Sequence, residues 1–459
     1  MTVENVLNHV DENLDAALER LKSFLRIPSI STDPAYDISC KDAADWLCED
    51  LNSIGFAAER HDTPGHPMVV APEFGADGIH VKFYGHYDVQ PVDPVELWNN
   101  DPFDPQLEDT PKGTVIRGRG TADDKGQLMT FVEACRAWVA VNGALPVKVS
   151  LFFEGEEESG SPSLIPYMKD HIDQLQSDLV LICDTGMVTP ETPSIVTMLR
   201  GMVSEEVTIT GPDIDLHSGF YGGAAMNPIR ALTKALGALH DESGRVTLPG
   251  FYDGVPEISG DVLEQWDNLP FDENAFLQSI GLSIPAGEHE LSVLEQIWAR
   301  PTAEVNGIWG GYSGAGFKTV IPSEASAKVS FRLVGDQDPE KVRAAFREHI
   351  ATHLPKDCKA SFKDFSNAGA ASFDIDHPAF EAARLALTEE WEAPAAFVGC
   401  GGSIPIAGHF KSIVGSEPML IGFGQDDDAI HSPNEKYDLR SFHKGIRSWV
   451  RILDKLAQL

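Results

Sequence analysis

Seven side chains of this 459-residue chain could act together on a substrate: His86, Asp88, Asp123, Glu157, Glu158, Asp184 and His431. Two histidines with several carboxylates make a mixed nitrogen and oxygen donor set, suited to zinc, manganese or cobalt. Gathered at one place without cations, so many acids would repel one another, and divalent ions remove that penalty. In His86-x-Asp88 one side chain can bind metal while the other orients a ligand through a hydrogen bond. In Glu156-Glu157-Glu158 a glutamate left free beside a ligand glutamate can take a proton from a water. Taken singly these features are ordinary: a surface His-x-Asp is usually polar loop, and a glutamate run is usually a solvated helix start. Their positions relative to the secondary structure are what join them.

Ile79 to Tyr84 reads as a strand that runs into Gly85-His86-Tyr87-Asp88. Val115 to Gly120 is a short extended segment, followed by Asp123-Asp124 and a helix through Met129, Val132 and Cys135. Val147 to Phe153 is a dense β-type run ending in Glu154-Gly155-Glu156-Glu157-Glu158, and Leu179 to Cys183 is another ending in Asp184. Met419 to Phe423 is apolar, and an acidic loop leads from it to His431. Before these, Leu14, Leu18, Leu21 and Leu25 recur at helical spacing ahead of Pro28, and a second amphipathic stretch from about Ala43 to Ile54 ends at Gly55. Strands separated by helices predict an α/β domain with a largely parallel sheet, and such sheets bind ligands beyond the carboxyl ends of their strands. Those ends here repeatedly carry His, Asp or Glu.

The middle third has another pattern. Val203 to Thr210 and Ala327 to Val334 alternate as half-exposed strands do, each with a helical stretch after it, Pro228 to Leu239 and Pro339 to His349. Between them lies a Pro- and Gly-rich region, about Gly250 to Pro301, with Trp266 and Trp298. The expected organisation is a first part of one domain over 1–199, an inserted α+β domain over 200–372, and the rest of the first domain over 373–459.

Thirty-five basic against seventy-one acidic residues leave a formal charge of −36. That excludes a simple electrostatic nucleic-acid binder, whose phosphate contacts need Lys and Arg, and disfavours anionic membrane surfaces. Hydrophobic content of 42% with 23% charged residues is ordinary for a folded protein and speaks against bulk disorder. The six cysteines form no C-x-x-C pair, so reduced and mostly buried thiols are expected. The acidic start, Met1 to Asp15, lacks the layout of a secretory signal, and no apolar run approaches the roughly 20 residues of a membrane helix. A soluble, cytoplasmic protein is expected.

With these residues in view, the chain resembles the two-metal aminopeptidase-like family that includes carboxypeptidase G, aminoacylase, succinyl-diaminopimelate desuccinylase and carnosine dipeptidase. The resemblance rests on GHYDVQP at Gly85–Pro91, RGRGTADDKG at Arg117–Gly126, EGEEESGS at Glu154–Ser161 and CDTG at Cys183–Gly186. It continues through DLHSGFYGG at Asp215–Gly223, GFKTVIP at Gly316–Pro322, GCGGSIP at Gly399–Pro405 and HSPNE at His431–Glu435. It implies an α/β metallopeptidase catalytic domain with a mostly parallel sheet, and an inserted α+β lid and dimerisation domain. It implies one divalent ion on His86, Asp123 and Asp184 and a second on Asp123, Glu158 and His431, with Asp123 shared. Asp88 would set the tautomer of His86, and Glu157 would be the general base and then the acid for a water shared by the ions. Glu156 stands where relatives commonly carry an uncharged residue, and the Ser159-Gly160-Ser161 that follows Glu158 fixes the register. A cis peptide is implied between Asp123 and Asp124.

The resemblance further implies that His217 reaches across a homodimer to the neighbouring site, with Thr319 making a similar contact. Arg332 would bind a terminal carboxylate, and Ser403 would offer a polar contact to substrate. Asp124 after Asp123, the GHYDVQP wording, the Trp98 to Pro102-Phe103 spacing and the long middle domain are closest to the carnosine and cytosolic nonspecific dipeptidase branch. The expected reaction is therefore hydrolysis of dipeptides or short peptides with a free C-terminal carboxylate. The alternatives are an N-acyl-amino-acid deacylase of aminoacylase or desuccinylase type and, further off, a noncatalytic binding protein on the same scaffold.

Overall fold

A computed structural model describes residues 2–402 and 404–459. Its centre is a nine-stranded mixed sheet. From one side the strands run Glu59–His61, Met68–Phe74, Lys148–Glu154, His80–His86, Leu179–Ile182, Glu417–Leu420, Ser194–Leu199 and Ala371–Ser372, with Ala396–Cys400 paired on Ser194–Leu199. The four central strands, Lys148–Glu154 to Glu417–Leu420, are mutually parallel, and antiparallel pairs flank them. Being parallel, these strands end at the same edge of the sheet. Nearly every central residue is buried, as expected for strands covered by helices on both faces.

Helices Lys125–Asn142 and Leu439–Leu456 pack against each other on this sheet. Phe83 stacks on Phe131 with ring centroids 4.0 Å apart, and Trp449 meets Phe83 edge-on at 5.8 Å. The N-terminal helices form where the leucine spacing predicts, Leu14–Leu25 and Asp37–Ile54. The second stops at Gly55, whose φ of 119° a side chain would strain.

A separate antiparallel sheet has the order Thr302–Gly310, Glu324–Leu333, Gly201–Thr210, Lys359–Ala368. Helices Pro228–Gly237 and Pro339–His353 cover one face, burying Val203, Val207, Phe331 and Phe346 between them. Its two inner strands are legible as alternating sequence. The outer two are not, because each carries a bulge, and Thr302–Gly310 is exposed along most of its length.

The two sheets are joined by a pair of adjacent chain crossings. Only Arg200 separates strand Ser194–Leu199 from Gly201–Thr210, and only Gly369 and Ala370 separate Lys359–Ala368 from Ala371–Ser372. The crossings pack backbone to backbone: a Cβ on Gly201 would lie 2.5 Å from the Ala368 carbonyl oxygen and the Ala370 nitrogen. The Pro- and Gly-rich stretch holds three short helices, Gly260–Asp267, Glu273–Ser279 and Val293–Trp298. Although it lies within the middle third of the sequence, it packs on the nine-stranded sheet, at Ala396–Cys400. There Gln265 accepts the Phe397 N–H at 2.6 Å, and the Trp266 indole donates to the Phe397 carbonyl at 2.9 Å. Trp298 lies where any side chain on Gly399 would be.

All six cysteines are free thiols. Among the described residues no helix is long and apolar enough to cross a membrane.

Candidate metal centre

The carboxyl edge of the parallel strands collects the polar side chains. His86 is the last residue of its strand; Glu157 and Glu158 come three and four residues after Lys148–Glu154, and Asp184 two residues after Leu179–Ile182. Asp123 sits two residues before helix Lys125–Asn142 and is joined by a cis peptide to Asp124, and His431 comes from the loop after Glu417–Leu420. Two groups of donors result: His86, Asp123 and Asp184, and Asp123, Glu158 and His431. Within each group one donor atom per residue lies within 4.8 Å of the others, and Asp123 belongs to both. Its two oxygens face different histidines, Oδ1 at 3.2 Å from His86 Nε2 and Oδ2 at 2.8 Å from His431 Nε2. Glu158 Oε2 lies 3.3 Å from His431 Nε2 and accepts from Gln90 Nε2 at 2.7 Å. Glu158 Oε1 is buried without a hydrogen-bond partner among the described residues. Two histidines, three carboxylates and an unsatisfied buried oxygen fit a pair of divalent cations.

A second set of contacts fixes these side chains. His86 Nδ1 lies 3.4 Å from Asp88 Oδ1 and 3.2 Å from the Asp88 carbonyl. The fully buried Asp88 carboxylate accepts the N–H groups of Glu157 at 3.2 Å and Glu158 at 3.0 Å, so it ties the histidine to both glutamates. Asp124 accepts the His86 N–H at 3.2 Å. The Glu435 carboxylate accepts the N–H groups of Gly120, Ala122 and Asp123 and the Arg119 guanidinium at 2.7 Å. It thus anchors the backbone that presents Asp123.

The three adjacent glutamates have distinct positions. Glu156 is buried and accepts the N–H groups of His66 and Ser163, both at 2.8 Å, which is a structural task. Glu158 belongs to the second donor group and Glu157 to neither. Burial, with Glu158, Asp88 and Asp123 nearby and His86 opposing, pushes Glu157 up to about 6. Burial and the Asp123 charge push Asp184 well above the usual carboxylate range. Burial would raise Asp123 too, but hydrogen bonds from His431 and His86 win and hold it well below that range. Hydrogen bonds to Asp123 and Glu158 lift His431 to about 10. His86 is also raised: burial opposes its charge, but Asp123 and Asp88 override it.

His217, Thr319 and Arg332 belong to neither donor group. His217 and Thr319 are both exposed, and they adjoin on a small ribbon that pairs Leu216–His217 with Val320–Ile321. Ser218 N–H donates to the Thr319 carbonyl at 3.1 Å, and His217 Nδ1 accepts the Gly219 N–H at 2.9 Å. Arg332 is half-buried near the end of Glu324–Leu333, opposite Thr302 and Met202. Ser403 lies outside the described residues.

Several residues of the site were not legible in the sequence. Glu435 stands in the HSPNE motif, yet nothing in its spacing shows that it reaches the backbone of a residue more than 300 positions earlier. Glu154 is a buried carboxyl that accepts the Tyr84 hydroxyl at 2.5 Å and is pushed up to about 8 by burial. A cavity of about 830 Å³, lined by Arg245, Tyr252 and Arg300 among others, touches none of the cluster. A small one of about 110 Å³ opens beside Glu157, between Tyr84, Leu164, Ile406 and His409.

Comparison with known proteins gives a consistent picture. Residues 82–455 match peptidase family M20/M25/M40. The Cys-Gly metallodipeptidase dug1 of Schizosaccharomyces pombe is 29% identical over 475 residues, covering 100% of this chain and 99% of the relative. The human Beta-Ala-His dipeptidase is 28% identical over 483 residues, covering 100% of this chain and 93% of the relative. The solved structure of the di-peptidase Dug1p from Saccharomyces cerevisiae superposes with a TM-score of 0.79 at 28% identity, covering 100% of this chain and 99% of that one.

Proposed function

This chain belongs to peptidase family M20/M25/M40, and on that premise we propose that it is a metallodipeptidase cleaving the amide bond of dipeptides or short peptides that carry a free C-terminal carboxylate. The observation that carries the reading is the pair of donor groups sharing Asp123, with Glu157 beside both and belonging to neither. His86, Asp123 and Asp184 would hold one divalent cation, and Asp123, Glu158 and His431 the other. Zinc, manganese and cobalt all suit these donors. When bound, such ions would polarise the scissile carbonyl and acidify the attacking water. Three ligand carboxylates do not neutralise two dications, so the site keeps net positive charge for a developing oxyanion.

Within that frame the chain's own residues move the proton. Glu157 Oε takes one from the attacking water and returns it to the leaving amine nitrogen, being the carboxylate of the glutamate run left free of both donor groups and of a structural task. Asp88 holds His86 in one tautomer and, through the Glu157 and Glu158 N–H groups, keeps base and ligand in register. Arg332 receives the substrate carboxylate with its fork of donors. The protein works as a homodimer, in which His217 and Thr319 of one protomer reach the site of its partner. Their exposure supports this, as does the apolar surface around them, with Phe220 82% and Phe317 90% exposed. The cytoplasm is the proposed compartment, in keeping with six free thiols.

The test is a panel of dipeptides beside N-acetyl and N-succinyl amino acids, assayed after loading with each metal in turn. Dipeptide turnover is expected to dominate. Preferred cleavage of the acyl amino acids would replace this reading with the deacylase one, and failure of loaded, folded protein to cleave any amide would remove both.

A further inference from the structure

Arg200 is the one residue between strand Ser194–Leu199 of the large sheet and strand Gly201–Thr210 of the smaller one. Its backbone N–H donates to the Cys400 carbonyl at 3.3 Å and its Nε to the Gly401 carbonyl at 3.1 Å. A Cβ on Gly401 would lie 2.8 Å from Arg200 Nη2, so the guanidinium rests against the Gly401-Gly402 turn that leads to Ser403. Two residues on, Met202 is registered opposite Arg332. Side chains two apart on a strand share a face, and cross-strand partners share it too, which sets Arg200 and Arg332 as diagonal neighbours on the face the helices leave open.

The electrostatics of this corner agree. Arg200 makes no ion pair among the described residues, and burial together with the Arg332 charge presses it down to about 10. Burial raises the Cys400 thiol, and the charges of Arg200 and Arg332 both oppose that rise, so the two guanidinium groups lie within electrostatic reach of the same residue. Two guanidinium groups side by side, one of them half-buried with no acid of its own, are relieved by an anion seated between them. A carboxylate matches that seat, since each guanidinium presents parallel N–H donors to its two oxygens.

We propose that Arg200 is a specificity-determining residue: with Arg332 it forms a two-guanidinium seat for the free carboxylate of the substrate, while its Nε holds the Gly401 turn that borders that seat. This rests on the dipeptidase reading above and sharpens it, because a one-arginine seat would leave Arg200 a structural strut.

The experiment uses the metal-saturated full chain and two substrates, alanylglycine and its C-terminal amide. Arg200→Gln is expected to raise KM for the acid about tenfold with kcat changed less than about threefold, and to shrink the acid-over-amide preference about tenfold. Arg200→Lys should fall between, since it keeps the charge without the fork. Should Arg200→Gln fail to fold by circular dichroism, Arg332→Met carries the test: with Arg200 still present, part of the acid preference is expected to survive. Equal losses on acid and amide in Arg200→Gln, or complete loss of the preference in Arg332→Met, would overturn the proposal. Wild-type protein that cleaves acid and amide equally would also overturn it while leaving the hydrolase reading intact; wild type that cleaves neither would end both.

Discussion

At the carboxyl edge of the nine-stranded sheet His86, Asp123, Glu158 and His431 are each held by another polar side chain. Asp88 grips His86 and the backbone of both glutamates, Glu435 grips the backbone before Asp123, and Asp123 faces two histidines. In the four-stranded sheet and its ribbon, His217 and Thr319 stand in the open, fixed to their own loops and to nothing near the cluster. The first region is preorganised by burial and hydrogen bonds within one chain. In the proposed reading the groups of the second act only when something brings them to the site, a partner protomer or a movement of the lid. Catalytic groups of the first kind should therefore be sensitive to single-atom changes, and those of the second kind to assembly.

That contrast can be tested, beginning with the largest effect. Glu157→Gln keeps size and removes only the proton carrier; kcat is expected to fall about 10²–10⁴-fold with both metals retained by elemental analysis. Near-normal turnover at full occupancy would take Glu157 out of the mechanism. His217→Ala, if the residue works across a dimer, should lose about 10²-fold or more alone. Mixing it with Glu157→Gln and letting protomers exchange should then restore about a quarter of wild-type activity, because half the dimers carry one site free of both changes. No recovery from a verified mixture would place His217 in its own protomer's chemistry. Asp88→Asn should weaken metal retention about 10–100-fold by loosening His86 and the glutamate turn together, read as the chelator concentration needed to strip the protein.

The smallest effect concerns pH. Without metal, His431 and His86 hold their protons more tightly when folded, and so do Asp184 and Glu157. Stability from such groups is complete at low pH and is lost as pH rises through the folded values. Asp123 has the opposite sign, but its lowered value lies below the working range. The melting temperature of metal-free protein should thus fall by a few degrees between pH 6 and pH 9, and saturating metal should flatten the slope. A metal-free protein indifferent to pH in this window would contradict the clustering of these groups.

Much of the body was legible because buried parallel strands write themselves as apolar runs, and because each run ended in a residue able to bind metal. Val147 to Phe153 and Leu179 to Cys183 differ from the observed strands by a residue or so at their ends. Strands Thr302–Gly310 and Lys359–Ala368 were hidden by bulges, and Ala396–Cys400, which ends at Gly399-Cys400 before two more glycines, carries no long apolar run. Of the cluster, the residue types and their order along the chain were plain, whereas the tasks of Glu156, Glu435 and Arg200 were not. A carboxylate that accepts backbone N–H groups from a distant segment leaves no periodicity, and neither does an arginine lying between two strands.

Phe397 illustrates what such hidden contacts accomplish. The outermost strand of the large sheet would present bare N–H and C=O groups there, and Gln265 and Trp266 occupy both. The helical excursion thereby acts as a hem on a fabric that would otherwise fray or stitch itself to a neighbour. Shortening this excursion to make a leaner protein would leave a sticky margin, and self-association rather than simple loss of a loop is the outcome to watch for.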